Sequence, residues 1–174
     1  VMGNSISSSS GVSSRVYKEG NWGFASNPDL SDSAVEYVVQ SASDNVRFMN
    51  DRNKMQCGFI LPDTCGHYEM DLTTQVSRNS QKQWIDFLKD IDSYIQKKYS
   101  HLTSRTIVLA GLDMEKSLLT SSGSTSYSMT PRGIMYVSLN MEKNGEPVEL
   151  MDVFGGLGQL EDHFIDPTQF YSDI

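Results

Sequence analysis

At 174 residues, with 38% hydrophobic and 10% aromatic content, the chain has enough apolar material for one domain with a core and is short for two. Its 14 Lys and Arg against 22 Asp and Glu leave a formal net charge of -8, which repels phosphate backbones and argues against direct nucleic-acid binding. No apolar run approaches the roughly 20 residues that cross a bilayer, no secretory leader is evident, and Cys57 and Cys65 are too few for a disulfide scaffold. The reading is a cytoplasmic protein without membrane contact.

Seven serines between Ser5 and Ser14 give the start of the chain a linker-like composition, so residues 1–10 are expected to be flexible. Val12, Arg15 to Tyr17 and Trp22 to Ala25 then read as two short strands around Lys18-Glu19-Gly20-Asn21, whose Gly and Asn suit the positive φ of a hairpin. Trp22 and Phe24, two positions apart, point to one face of their strand. Burial as core anchors is their simplest use, with a peptide or ligand platform as the alternative and Gly23 letting another backbone come close.

Ser31 can cap a helix that begins with Asp32, with Leu30 stapled onto Val35, and Ala34, Val35, Val38, Val39, Ala42 and Val46 recur at helical spacing. The segment around Phe59 to Asp63 reads as strand and turn with Cys57 and Cys65 as buried thiols. Ser80 and Gln83 have capping-box spacing at the head of a second helix with Trp84, Ile85, Leu88, Ile91 and Ile95 on one face and Lys97 and Lys98 at its negative end. Asp86, Asp90 and Asp92 fall off that face and read as solvated charges.

Strands are expected at Thr106–Ala110, Lys116–Thr120, Ile134–Met141 and Val148–Phe154, the last two joined by an Asn144-Gly145 hairpin. The outcome is an α+β fold: a mixed or antiparallel sheet of about six strands packed with two main helices, forming a single domain over 11–174.

The chemistry is sparse. His67, His101 and His163 have no partner at ligand spacing, and Cys57, Cys65 and His67 do not match a zinc-finger pattern. No Gly-x-Ser-x-Gly elbow occurs. Gly155-Gly156-Leu157-Gly158 lacks the rest of a phosphate-binding motif and reads as a glycine-rich exit turn, although a nucleotide-binding use of that run is a competing reading. No catalytic residue, metal ligand or cofactor is assigned to this chain.

Gly11-Val12-Ser13-Ser14-Arg15-Val16, then Gly20-Asn21-Trp22-Gly23-Phe24-Ala25-Ser26, then Leu30-Ser31 at a helix start, resembles the N-terminal region of the TldD/PmbA family. The capped helix from Ser80, the Thr120-Ser121-Ser122-Gly123 turn and the late Asn144-Gly145 hairpin follow in the same order. The resemblance implies a zinc metallopeptidase, historically described as a modulator of DNA gyrase and a peptide maturation factor. Its HExxxH motif and Cys ligand belong to a C-terminal part that this sequence does not contain. On that basis the chain is an N-terminal, non-catalytic domain whose gene continues past Ile174 into the zinc-bearing half. Its partners are a peptide or unfolded-protein substrate and a second subunit in a homo- or heterodimer, and its substrate or interface candidates are Arg15, Trp22, Gly23, Phe24, Ser122 and Gly123. The competing reading of the whole chain is a metal-free interaction module or partner subunit.

Overall fold

The computed structural model describes residues 3–52, 62 and 65–174. Two compact units emerge, 1–62 and 63–174, where the sequence reading treats 11–174 as one domain. Residues 3–10 are exposed and carry no regular secondary structure. Phe59, Ile60, Leu61, Asp63 and Cys57, read above as a strand-and-turn segment with a buried thiol, lie outside the described residues.

The first unit is a hairpin under a helix. Strands β1 (Val12–Lys18) and β2 (Asn21–Asn27) pair antiparallel in a two-stranded sheet, with Tyr17 opposite Trp22 and Arg15 opposite Phe24. The turn is tighter than the sequence reading has it: Glu19 and Gly20 carry the positive φ values, 50° and 88°, as a two-residue hairpin turn of the favoured hand requires, and Asn21 is already strand. Helix α1 (Asp32–Arg52) starts at Ser31, whose Oγ accepts the Ala34 N–H at 3.3 Å.

Ala34, Val38, Ala42 and Val46 form the buried stripe of α1, while Val35 and Val39, expected in the same stripe, are exposed, as is Leu30 of the expected staple. Spacing of four keeps the buried set on one narrow line, and small side chains on that line let the helix settle close to the strands. Gly23 marks the closest point. A Cβ there would stand 1.9 Å from the Ala42 carbonyl oxygen and 2.7 Å from the Val46 nitrogen, both backbone atoms.

In the second unit the long strand β5 (Thr125–Lys143) is central. Strand β4 (Ser104–Leu119) pairs antiparallel along one edge of β5 in unbroken register from Ser104–Asn140 to Leu119–Thr125. The two strands expected at Thr106–Ala110 and Lys116–Thr120 are therefore one. The intervening Gly111 and Asp113 interrupt the apolar pattern without interrupting the ladder, because Gly111 leaves room for Leu160 and Asp113 accepts from Gln159 Nε2 at 3.1 Å.

The other edge of β5 is shared. Strand β3 (His67–Asp71) runs parallel to Thr125–Met129, and β6 (Glu146–Leu157) runs antiparallel to Arg132–Lys143. The β5–β6 hairpin turns at Asn144 and Gly145 with φ of 57° and 81°, as their sequence implies. Among the described residues, six strands in two sheets, two main helices and a short third make an α+β fold. The sheet content is mixed.

Helix α2 (Gln81–Lys98) opens with the full Ser80–Gln83 capping box and lays Phe87, Ile91 and Ile95 onto Met135 and Val137 of β5. Phe164, after the short helix α3 (Leu160–His163), completes that core, and Phe170 of a 3-10 turn (Pro167–Phe170) packs edge-on against Phe87 and Phe154. Edge-to-face aromatic geometry of this kind adds to the area buried. The opposite sheet face, including Leu112, Ile134, Met151 and Val153, is exposed.

Two outcomes follow. Gly23→Ala is expected to cost more than about 2 kcal/mol, because backbone of α1 must move to admit one carbon; urea unfolding read through Trp22 in a Trp84→Phe background measures it. On α2, the Arg105 guanidinium hydrogen-bonded to Asp92 holds that carboxyl below the usual carboxylate range. A lowered folded value means the pair stabilises above the unfolded value near 3.9 and loses this effect as pH falls through the folded value. Asp92→Asn should cost less than about 1 kcal/mol at neutral pH, since the pair is partly exposed, and nothing near pH 2; parallel denaturation curves at the two pH values check this.

Candidate functional site

The period of two along β1 and β2 decides what the hairpin presents. With Gly23 against α1, its strand neighbours Trp22 and Phe24 must turn to the opposite face, and they are 52% and 50% exposed. Core anchoring, the simplest sequence reading for this pair, is thereby corrected. The core of the unit uses Val12 and Val16, half-buried, and the small side chains of α1 instead.

On the outward face, register sets Tyr17 directly across from Trp22, ring centroids 5.1 Å apart at 55°, and Arg15 across from Phe24, its guanidinium carbon 5.8 Å from the ring centroid. Ser13 and Ser26 stand opposite each other next in line. The result is a two-by-three array of side chains: an aromatic pair, a cation on an aromatic ring, and a pair of hydroxyls. Tyr17 was not among the sequence candidates. A two-residue turn at Glu19-Gly20 is the signal that finds it, because that turn alone fixes Tyr17 opposite Trp22.

The hairpin is braced from behind. Asn45 Nδ2 of α1 donates to the Phe24 carbonyl at 2.8 Å, and buried Asn21 donates from Nδ2 to Asn50 Oδ1. These bonds tie β2 to α1.

Four of the six candidates, Arg15, Trp22, Gly23 and Phe24, therefore belong to one hairpin, with Gly23 supporting from the inner face. Ser122 and Gly123 sit in the second unit, in the β4–β5 turn, where Gly123 has φ of 90° and donates its N–H to the Thr120 carbonyl, while Thr120 Oγ1 lies 2.9 Å from Ser122 Oγ.

The remaining sequence candidates find structural uses. Cys65, expected to be buried, is exposed, with Sγ 3.7 Å from the Gly123 carbonyl oxygen. His67 Nδ1 lies 2.7 Å from Thr125 Oγ1. Gly155, at φ 102°, brings β6 against β5, since a Cβ there would stand 2.2 Å from the Gly133 carbonyl oxygen, and the Gly158 N–H donates to the Pro131 carbonyl. Among the described residues no group of three or more His, Cys, Asp or Glu is placed to hold a metal ion. No described helix is long and apolar enough to cross a membrane.

A second polar cluster lies in the second unit. Gln159 and Glu161 are buried, and with Asp162 they hold the segment before α2: Gln159 Oε1 accepts the Thr74 N–H at 2.9 Å, Glu161 Oε1 the Asn79 N–H at 2.8 Å, and Asp162 Oδ1 the Thr74 hydroxyl at 2.6 Å. Arg78 Nε lies 3.4 Å from Glu161 Oε1. This set ties a loop to a helix.

Residues 1–46 match the family model described as PmbA/TldA metallopeptidase domain 1. The match takes in β1, β2 and most of α1, and with them every member of the outward aromatic array. No curated protein matches the chain.

If the array is a presented surface and not a plug, Trp22→Ala should cost less than about 1 kcal/mol in urea unfolding, against about 3 to 5 for deleting a buried aromatic such as Phe87.

Proposed function

We propose that the chain is the N-terminal, non-catalytic part of a PmbA/TldD-like metallopeptidase acting in the cytoplasm in peptide proteolysis or maturation. In this role the hairpin face of Arg15, Tyr17, Trp22 and Phe24 receives an unfolded peptide. The observation that carries the reading is the exposure of two large aromatic side chains on a hairpin backed by α1, inside the stretch that matches the family model for the first domain. Exposed aromatics backed by a helix lose little conformational freedom on binding, which favours their use as anchors.

The physics of peptide capture supports it. The two-stranded sheet has an unpaired outer edge on each strand among the described residues, and an extended peptide adds to such an edge through main-chain hydrogen bonds while its alternate side chains reach the array. Bond breaking falls to the zinc-bearing HExxxH part of the parent enzyme. Pairing with a second subunit in a homo- or heterodimer belongs to the same proposal, as does the absence of direct nucleic-acid contact, which the net charge of -8 favours.

The test is a nitrogen-15 NMR titration of the chain with an unfolded protein, reduced and carboxymethylated α-lactalbumin. The Trp22 indole signal, assigned by comparison with Trp84→Phe, should shift or broaden while that of Trp84 stays in place. A Trp22 signal that never moves would remove the hairpin from the reading.

A further inference from the structure

Arg15 has an unusual setting for an arginine in an acidic chain. From Ser13 to Tyr17 on β1 and Trp22 to Ser26 on β2, the outward face carries one formal charge, that of Arg15, and no carboxylate. Although the chain has 22 Asp and Glu, Arg15 forms no salt bridge with a described residue, in contrast to Arg47, Arg78 and Arg105. Its guanidinium carbon lies over Phe24, 5.8 Å from the ring centroid, and arginine combines such a ring contact with fork-geometry recognition of a carboxylate.

The layout along the hairpin adds a spacing. The Tyr17–Trp22 pair and the Arg15–Phe24 pair are two residues apart on each strand, about 6.5 to 7 Å, which is the separation of side chains i and i+2 in an extended peptide. We infer that the face selects extended peptide segments with an apolar side chain followed two positions later by Asp or Glu. The apolar group lies on Tyr17 and Trp22, and the carboxylate meets Arg15 above Phe24. This inference rests on the reading of the hairpin as a peptide-receiving surface and gives that surface a substrate class. The complementary charge decides it: an apolar platform alone has no use for a lone cation at its centre, and a basic segment would be repelled by it.

The blocked peptide Thr-Leu-Thr-Glu-Thr and its counterpart with Gln in place of Glu, titrated into the full 174-residue chain with the Trp22 indole as reporter, test this. The Glu peptide should bind about two- to fivefold more tightly at low salt, the range expected of an exposed ion pair. The preference should vanish in Arg15→Gln, a substitution at an exposed position, and in 1 M salt. Equal binding of the two peptides with Trp22 shifting overturns the acidic preference and leaves the peptide-receiving face standing. A preference that survives Arg15→Gln places the carboxylate elsewhere and also overturns it. If neither peptide moves Trp22, the peptide-receiving reading falls, and the inference with it.

Discussion

The contact of Gly23 with the backbone of α1 governs the first unit. A strand has two faces and only one can meet the helix, so the residue that admits the closest approach dictates what its neighbours do. Gly23 has no Cβ to hold Ala42 and Val46 away, and the helix answers with a stripe of Ala and Val that lies flat on the sheet. Two aromatics are pushed outward as a result. Their exposure is a product of the packing, and the platform they form is as rigid as the helix contact behind it.

The second unit is organised around a different constraint, the length of β5. A strand of 19 residues outruns the helix packed on it, so only part of the sheet is covered by α2, α3 and the segment after them. Phe87, Phe154, Phe164 and Phe170 concentrate the aromatic contacts at that part. The turn that holds Ser122 and Gly123 lies at the other end of the ribbon, which explains why it carries turn chemistry and little packing.

Much of this was readable in the sequence, and the failures have physical causes. Both main helices, the capping box at Ser80 and the Asn144-Gly145 hairpin were legible because caps and tight turns depend on a few adjacent residues. The resemblance noted in the sequence rests on the same stretch that the family model matches, residues 1–46. The orientation of Trp22 and Phe24 was not, since hydrophobicity assigns aromatics to a core and says nothing about which face a glycine has reserved. Counting back from a two-residue turn would have put Trp22 on the side of Arg15, the charged side, and settled it. Strand β3 went unread because all five of its residues are exposed and its charged side chains obscure the alternation. The continuity of β4 was lost at Gly111 and Asp113, whose partners, Leu160 and Gln159, lie almost 50 positions away in the chain.

Pro131, fully buried in the middle of β5, has one more effect. Having no N–H, it offers an edge strand an acceptor but no donor, and it stands where β3 gives way to β6: the Leu72 N–H bonds the Met129 carbonyl and the Gly158 N–H bonds the Pro131 carbonyl. The seam divides the sheet by the order in which it assembles. Strands β4, β5 and β6 are joined by short turns and close with little loss of chain entropy, whereas β3 must wait for a loop of more than 50 residues to bring it to Thr125. The five-residue strip that arrives last is also exposed along its whole length, the setting in which local opening of a sheet costs least.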